Sequence, residues 1–324
     1  YMEAGQANPA ESLGHFGVNT ESPQDKRLGY AMLTDKHGTT TALGYGQSVQ
    51  YSQARALYGD DDLARSSAEM GVANLAGAAR GGAMFAYGTQ LDDDTRVAVS
   101  WSSTAQPASQ AALSLSPELS TARGSHLSVG IAHRLDEHLT VGGSVGVLNE
   151  NHSLLGNAYD TRSALSMGES NHTVSVGLAA AVHLGEDSKL LAEANFATTR
   201  GGNAAGLIAD TSDIHSRSWG VAFTSRNVLG KGDHLSASVV KPLRVSSGQV
   251  AVALDGVDAT GAAVRTTQWV GIAPDGSETN YRLAYDSPLK GDQKLSVQAT
   301  VRRDAQNISG NNEVAAGVSW SMKF

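Results

Sequence analysis

The side chains able to do chemistry in this chain are scattered, and their spacing limits what they can do. Ten histidines are present, but none falls in an HExxH or comparable arrangement that would hold a metal. The acidic runs Asp60–Asp62 and Asp92–Asp94 could attract calcium. They lack the glycine and the distal glutamate of an EF-hand loop, so they read as a helix cap and a solvated turn. Arg80-Gly81-Gly82 does not follow a buried strand and open a helix, which rules out a phosphate loop. Cysteine is absent, and with it go disulfides, thiol catalysis and cysteine-ligated zinc. A net charge of -8 argues against a nucleic-acid partner. No catalytic constellation survives, so the sequence predicts no enzyme, no cofactor and no metal.

A second set of polar residues is informative through placement. Leu295, Val297, Ala299 and Val301 alternate with Ser296, Gln298, Thr300 and Arg302. Successive side chains of a strand point to opposite faces, so one face is greasy and the other polar. An arginine on the inward face fits a wet lumen and not a dry core. By this parity Arg134, Glu193, Asn195, Arg282, Gln298 and Arg302 are expected to face a lumen. The other inward positions are small, among them Ser128, Gly130, Gly142, Ser144, Ser175 and Gly177.

The elements that position these residues are clearest at the C-terminal end. Glu313 to Phe324 places Val314, Ala316, Val318, Trp320, Met322 and Phe324 on one face. A soluble sandwich strand could alternate in this way. The chain ends on an aromatic directly after the run, which resembles the assembly signal of bacterial outer-membrane barrels, carried here by Val318, Trp320, Met322 and Phe324. No run of about 18 apolar residues offers a transmembrane helix. The mean hydropathy of -0.22 suits polar loops and a polar inner face.

Residues 1–26 read as a linker, with Ser12 to Thr20 a possible strand, and 27–324 as an antiparallel transmembrane β-barrel. The first residues, YMEAGQANPA, have no basic segment before an apolar core. A secretion signal has been removed, or the chain is a fragment of a longer precursor. Arg27–Thr34 and Thr39–Val49 form a hairpin around Asp35–Gly38, with Leu28, Tyr30 and Met32 on one face and Thr41, Leu43, Tyr45 and Val49 on the facing one, the face of Tyr30 being the one expected in an aromatic girdle. Residues 60–80 have helical spacing after an acidic start, as a helical extracellular loop or as a plug inside the barrel. From Ala83 onward, hairpins with short turns alternate with longer polar stretches. That asymmetry is what bacterial barrels show, with the short turns periplasmic. The count comes to 12–14 strands. The runs near 250–254 and 267–272 could be wall strands or a hairpin beyond the membrane. Tyr30, Tyr45, Trp101, Trp219, Tyr281 and Tyr285 are expected to form aromatic girdles.

Two blocks carry a family resemblance. Leu229-Gly230-Lys231-Gly232-Asp233-His234-Leu235, followed by Lys241-Pro242-Leu243-Arg244, is one. Ile272-Ala273-Pro274-Asp275-Gly276 with Tyr281-Arg282-Leu283-Ala284-Tyr285, and the late Arg302-Arg303-Asp304, is the other. They resemble the C-terminal barrel region of secreted, autotransporter-like subtilisin-type serine peptidases of Gram-negative bacteria, best over 125–324. The resemblance implies an outer-membrane translocator and anchor without enzymatic activity. Its implied partners are outer-membrane lipid, the barrel assembly machinery, and its own passenger segment or another surface protein. The departure is plain: His37-Gly38-Thr39 echoes the peptidase histidine motif only superficially, since Thr39 opens a strand and no nucleophile motif follows. A standalone porin-like channel, or a barrel subunit of a surface assembly, is the alternative.

Overall fold

The computed structural model describes residues 2–6, 29–45, 49–72, 75, 81–104, 123–151, 153–155, 157–158, 170–202, 207–257, 259–289 and 293–322. Chain order runs β1 (Met2–Gln6), β2 (Gly29–Thr34), β3 (Thr40–Tyr45), α1 (Val49–Tyr58), α2 (Asp61–Met70), β4 (Gly81–Gln90), β5 (Thr95–Thr104) and β6 (Arg123–Arg134). It continues with β7 (Leu139–Asn151), the short β8 (Ser153–Leu154) and β9 (Asn157–Ala158), β10 (Ser170–His183), β11 (Ser188–Gly201), β12 (Ile208–Thr211) and β13 (Ile214–Arg226). The last elements are β14 (His234–Ser247), β15 (Gln249–Val257), β16 (Ala263–Gly271), β17 (Thr279–Pro288), β18 (Gln293–Arg303) and β19 (Glu313–Met322).

Fourteen of these strands make one sheet, in the order β1-β2-β3-β4-β5-β6-β7-β10-β11-β13-β14-β17-β18-β19. Each neighbouring pair is antiparallel, so the wall is an up-and-down meander. The short turns after β2, β4, β6, β10, β13 and β17 share one end, and the long connections share the other. Among the described residues no pairing joins β1 to β19.

The two faces of this sheet are inverted relative to a soluble protein. Buried on one face are Ser100, Ser102, Ser128, Thr173, Ser175, Asn195, Thr199, Ser218 and Thr224. Exposed on the other are Leu43, Leu127, Val129, Ile131, Val145, Val174, Val176, Leu178, Phe196, Leu283, Val297 and Val318. Leaving half of such a side chain in water forgoes about 1 kcal/mol each. Summed over the group, that rivals the 5–15 kcal/mol or so that holds a whole domain together. The cost vanishes when the outer face meets lipid, as in a transmembrane barrel wall. The chain is an all-β protein of the bacterial outer membrane. Among the described residues no helix is long and apolar enough to cross a membrane; strands do the crossing.

The sheet wraps around α1 and α2. From β4 to β17 there are eight strand-to-strand steps, about 38 Å if laid flat at ~4.8 Å each. The helices have 10 residues apiece, about 15 Å long. Yet α1 packs on β3, β4, β5 and β6 while α2 packs on β11, β13 and β14 and reaches Arg282 of β17. Only a strongly curled wall brings all these strands to two short helices.

Two sequence expectations are corrected here, and of two alternatives one is selected. Met2–Gln6 pairs with β2, so the sheet begins within the stretch read as linker; Ser12 to Thr20 lies outside the described residues. Met32 is buried on the inner face and Leu33 is exposed, the reverse of the expected parity. The runs near 250 and 270 are not wall strands: β12, β15 and β16 form a separate three-stranded sheet at the long-loop end.

Candidate functional site: the lumen and the hairpin that fills it

The α1–α2 hairpin connects at the long-loop end, between β3 and β4, and folds down into the lumen. It is therefore a loop by connectivity and a plug by position. It begins at Val49, earlier than the 60–80 that residue spacing suggested, because α1 mixes polar and apolar residues without a clean stripe. The second helix starts where its sequence says. Asp60 caps it, its Oδ1 accepting the Leu63 N–H at 3.0 Å, and Asp61 and Asp62 fill the positive first turn. Gly71, at φ 62°, closes it with an N–H bond to Ser67 O.

The tip of the hairpin, Tyr58 to Asp62, reaches the short-turn end of the wall. There Asp62 is 4% exposed and accepts from Lys189 Nζ at 3.1 Å and from Arg226 Nη2 and Nε at 2.6 and 3.0 Å. Lys189 also donates to Asp60 Oδ2 at 2.6 Å, and His234 Nε2 stands 3.9 Å from Asp62. Higher in the lumen, Glu193 accepts from the Tyr58 hydroxyl at 2.6 Å and the Ser67 hydroxyl at 2.8 Å. Arg96 donates from Nε to Ala56 O at 2.7 Å, a cation against the negative end of α1. Gln53 donates to Ser128, and Arg282 Nη1 lies 3.9 Å from Glu69 Oε2.

Apolar packing completes the docking. Tyr51 and Leu57 pack with Met32, Ala42, Ala56, Met84, Ala86 and Ala98. Leu63, Met70 and Val72 pack with Ala181, Leu191, Ala222 and Val240. The wall is small where the helices come closest: a Cβ on Gly88 would stand 1.9 Å from Ala56 O, and one on Gly220 would stand 2.9 Å from Met70 Sδ. One small pocket lies between the hairpin and β5, β6, β7, β10 and β11, lined by Gln53, Leu57, Ser100, Ser128 and Ser144 among others. A wall of 14 strands would otherwise enclose a wide space. The hairpin occupies the part of it that faces β3–β6 and β11, β13 and β14.

Several buried wall groups have no hydrogen-bond partner among the described residues: Ser102 Oγ, both ring nitrogens of His126, both amide atoms of Asn195, and Ser216 Oγ. Buried polar groups normally find a hydrogen bond or a water.

Of the residues expected in the lumen, Glu193 and Asn195 are buried there, and Arg282 reaches Gln298 Oε1 at 3.4 Å across the inner face. Arg302 sits at the long-loop rim, bound to Glu278 at 3.0 Å and Glu313 at 2.6 Å. Arg134 is corrected. It has the inward parity but ends its strand, so its guanidinium leaves the lumen and pairs with Asp94 in the next short turn at 2.7 Å, half exposed. Tyr45, Trp101, Trp219 and Tyr281 project outward and are exposed. Tyr285 donates its hydroxyl to Asp233 at 2.8 Å. Val318 and Trp320 are exposed on the outer face. Phe324 and the side chains of Tyr30 and Met322 lie outside the described residues. Sequence reasoning missed Arg96, Lys189 and Arg226, although each occupies an inward strand position, the signal that singled out Arg302. Among the described residues no cluster of His, Asp and Glu could hold a metal ion.

These features define a plugged outer-membrane barrel. No family model and no curated protein matches the chain. Among solved structures it is similar to the toluene transporter TodX of Pseudomonas putida, with 15% identity over 75% of this chain and 73% of that one, at a TM-score of 0.37. The toluene transporter TbuX of Ralstonia pickettii shares 11% identity over 75% and 72%, at a TM-score of 0.36. OccK10 (OpdN) of Pseudomonas aeruginosa shares 12% over 91% and 72%, at a TM-score of 0.37.

Proposed function

We propose that this protein is an outer-membrane channel for small solutes, held closed by the α1–α2 hairpin and opened when the hairpin shifts away from the wall. The observation that carries this reading is the hairpin itself. It lies inside the wall, held by polar and charged contacts at its tip and along its length and by two small, separate apolar clusters. Such contacts can be exchanged for water at modest cost, as a movable stopper requires. The protein has no catalytic role on this reading. Its partners are lipid and the assembly machinery that reads β19.

The second reading, an autotransporter-like translocator, rests on the sequence blocks named above. A translocated chain must have one end free to leave the barrel, whereas α1–α2 is tied to wall strands at both ends. That favours the channel.

The test uses the absence of native cysteine. A Gln53→Cys/Ser128→Cys variant, bridged by a short thiol cross-linker, joins α1 to β6. In planar bilayers the open protein should show conductance steps that cross-linking abolishes and cleavage of the linker restores. Identical conductance with the bridge in place would overturn the stopper.

A further inference from the structure

The lipid side of the wall carries a patch that the lumen does not use. On β10, β11 and β13, just below the long loops, His172, Arg200, His215 and Arg217 all point away from the interior. Register fixes this: His172 lies opposite Arg200, Thr198 opposite His215, and Phe196 opposite Arg217. All four basic side chains are exposed. They border a shallow groove of about 710 Å³ whose floor includes Val174, Val176 and Phe196.

Position constrains what the groove can meet. An arginine on the lipid face costs roughly 2–4 kcal/mol at the bilayer midplane and about 0–1 near the interface. From Val176, level with Arg217, six residues run to Val182 beside the short turn, about 20 Å of strand. At a tilt of about 40° that length rises about 15 Å through an apolar band ~25 Å tall. Arg217 therefore stands in the upper half of the hydrocarbon, within reach of the headgroups by extending upward, and Arg200 and His172, four residues higher, stand at the upper edge.

The charge there is one-sided. Asp213 Oδ1 is 3.3 Å from Arg200 Nε, with both side chains well exposed, so that pair is weak. Arg217 has no hydrogen-bond or ion-pair partner among the described residues. His172 and His215 are each positioned through Nδ1, against Asn149 Oδ1 at 2.6 Å and Thr198 Oγ1 at 3.1 Å. Two planar forks and two imidazoles above an apolar floor match an anionic oxygen cluster joined to acyl chains.

We propose that this groove binds the phosphorylated head group of an outer-leaflet lipid, with Arg200 and Arg217 on the phosphate and Val174, Val176 and Phe196 against the first acyl carbons. A free phosphate supplies the charge but leaves the apolar floor uncovered, so a lipid is the better fit.

The test is native mass spectrometry of the full chain after exchange into micelles doped with diphosphorylated lipid A. The wild type should retain one lipid A and should not retain its dephosphorylated form. Arg200→Gln/Arg217→Gln should retain at least about tenfold less, as the loss of two charge-assisted contacts implies. Arg265→Gln, on β16 outside the wall, should bind as the wild type does. Should the double variant fail to assemble, Arg217→Gln alone must still lower retention. Equal retention of the dephosphorylated lipid, undiminished binding by the variants, or displacement by millimolar inorganic phosphate would each overturn the proposal.

Discussion

Asp62 is the acid at the hairpin tip on which the wall cations converge. Its carboxylate is buried, and two wall cations from different strands converge on it. Removing one partner of a buried pair costs about 3–5 kcal/mol when the remaining charges stay buried. Arg226 is half exposed, so the lower end applies here, about 3 kcal/mol. Asp62→Ala should release the hairpin tip while leaving the wall ladders intact. The expected result is faster amide hydrogen exchange over residues 56–66 with unchanged exchange in β10 and β11, and more frequent openings in the bilayer. Unchanged exchange at the tip would show that Asp60 and Glu193 suffice to hold it. Strand parity had already placed Glu193 and Asn195 inside. What parity cannot supply is the pairing of wall and plug, because Lys189 and Arg226 lie 127 and 164 residues from Asp62 in the chain. No local pattern reports a contact at that range.

Among the elements, the short turns share a common device. Asp35, Asp92 and Asp136 each accept backbone N–H groups within the next four residues, the hydrogen-bonded Asx turn that lets Asp replace a backbone partner. Asp233 does the same in reverse, accepting from Val228, Leu229 and Gly230 at 2.7–2.8 Å and from Tyr285. Burial alone would raise the Asp233 pKa, but the Tyr285 hydroxyl and these N–H groups outweigh it and hold the carboxyl below its ordinary value of 3.8. A depressed folded pKa contributes stability above the unfolded value, and that stability is lost as pH falls through the folded one. The β13–β14 turn should therefore lose exchange protection below about pH 4, while Asp233→Asn should be weaker at neutral pH and nearly indifferent to acid. A wild-type turn that stays protected at pH 2 would contradict this. The long strands were legible because lipid and lumen impose opposite polarity on alternate residues. β2 was not, since Tyr30, Ala31, Met32 and Leu33 are apolar on both parities. Inside, Met32 meets Tyr51 and Leu57 of α1 rather than water. A plug that brings its own apolar side chains erases the pattern that marks the inner face.

For the molecule as a whole, the four tryptophans report orientation. Trp101, Trp219 and Trp320 are exposed on the outer face of the wall, and Trp269 is exposed on β16, in the small sheet beyond it. In single-tryptophan variants reconstituted with brominated acyl chains, the three wall residues should be quenched by lipid, and Trp269 by aqueous iodide instead. Lipid quenching of Trp269 together with iodide quenching of Trp219 would invalidate the membrane placement of the sheet. The fold class and membrane location were readable from alternation and turn lengths. The closed lumen was not, because the polarity of the inner wall is the same whether it faces water or a hydrophilic helix.

The infolded hairpin also sets an order of events. The short-turn hairpins of the wall join strands adjacent in sequence and can form early, whereas the tip of α1–α2 is completed only when β11 and β13 arrive more than a hundred residues later. Closing so long a loop is entropically slow and comes after the local pairs. The stopper thus docks last, into a wall already built, and for an interval during biogenesis each molecule is an unstoppered pore.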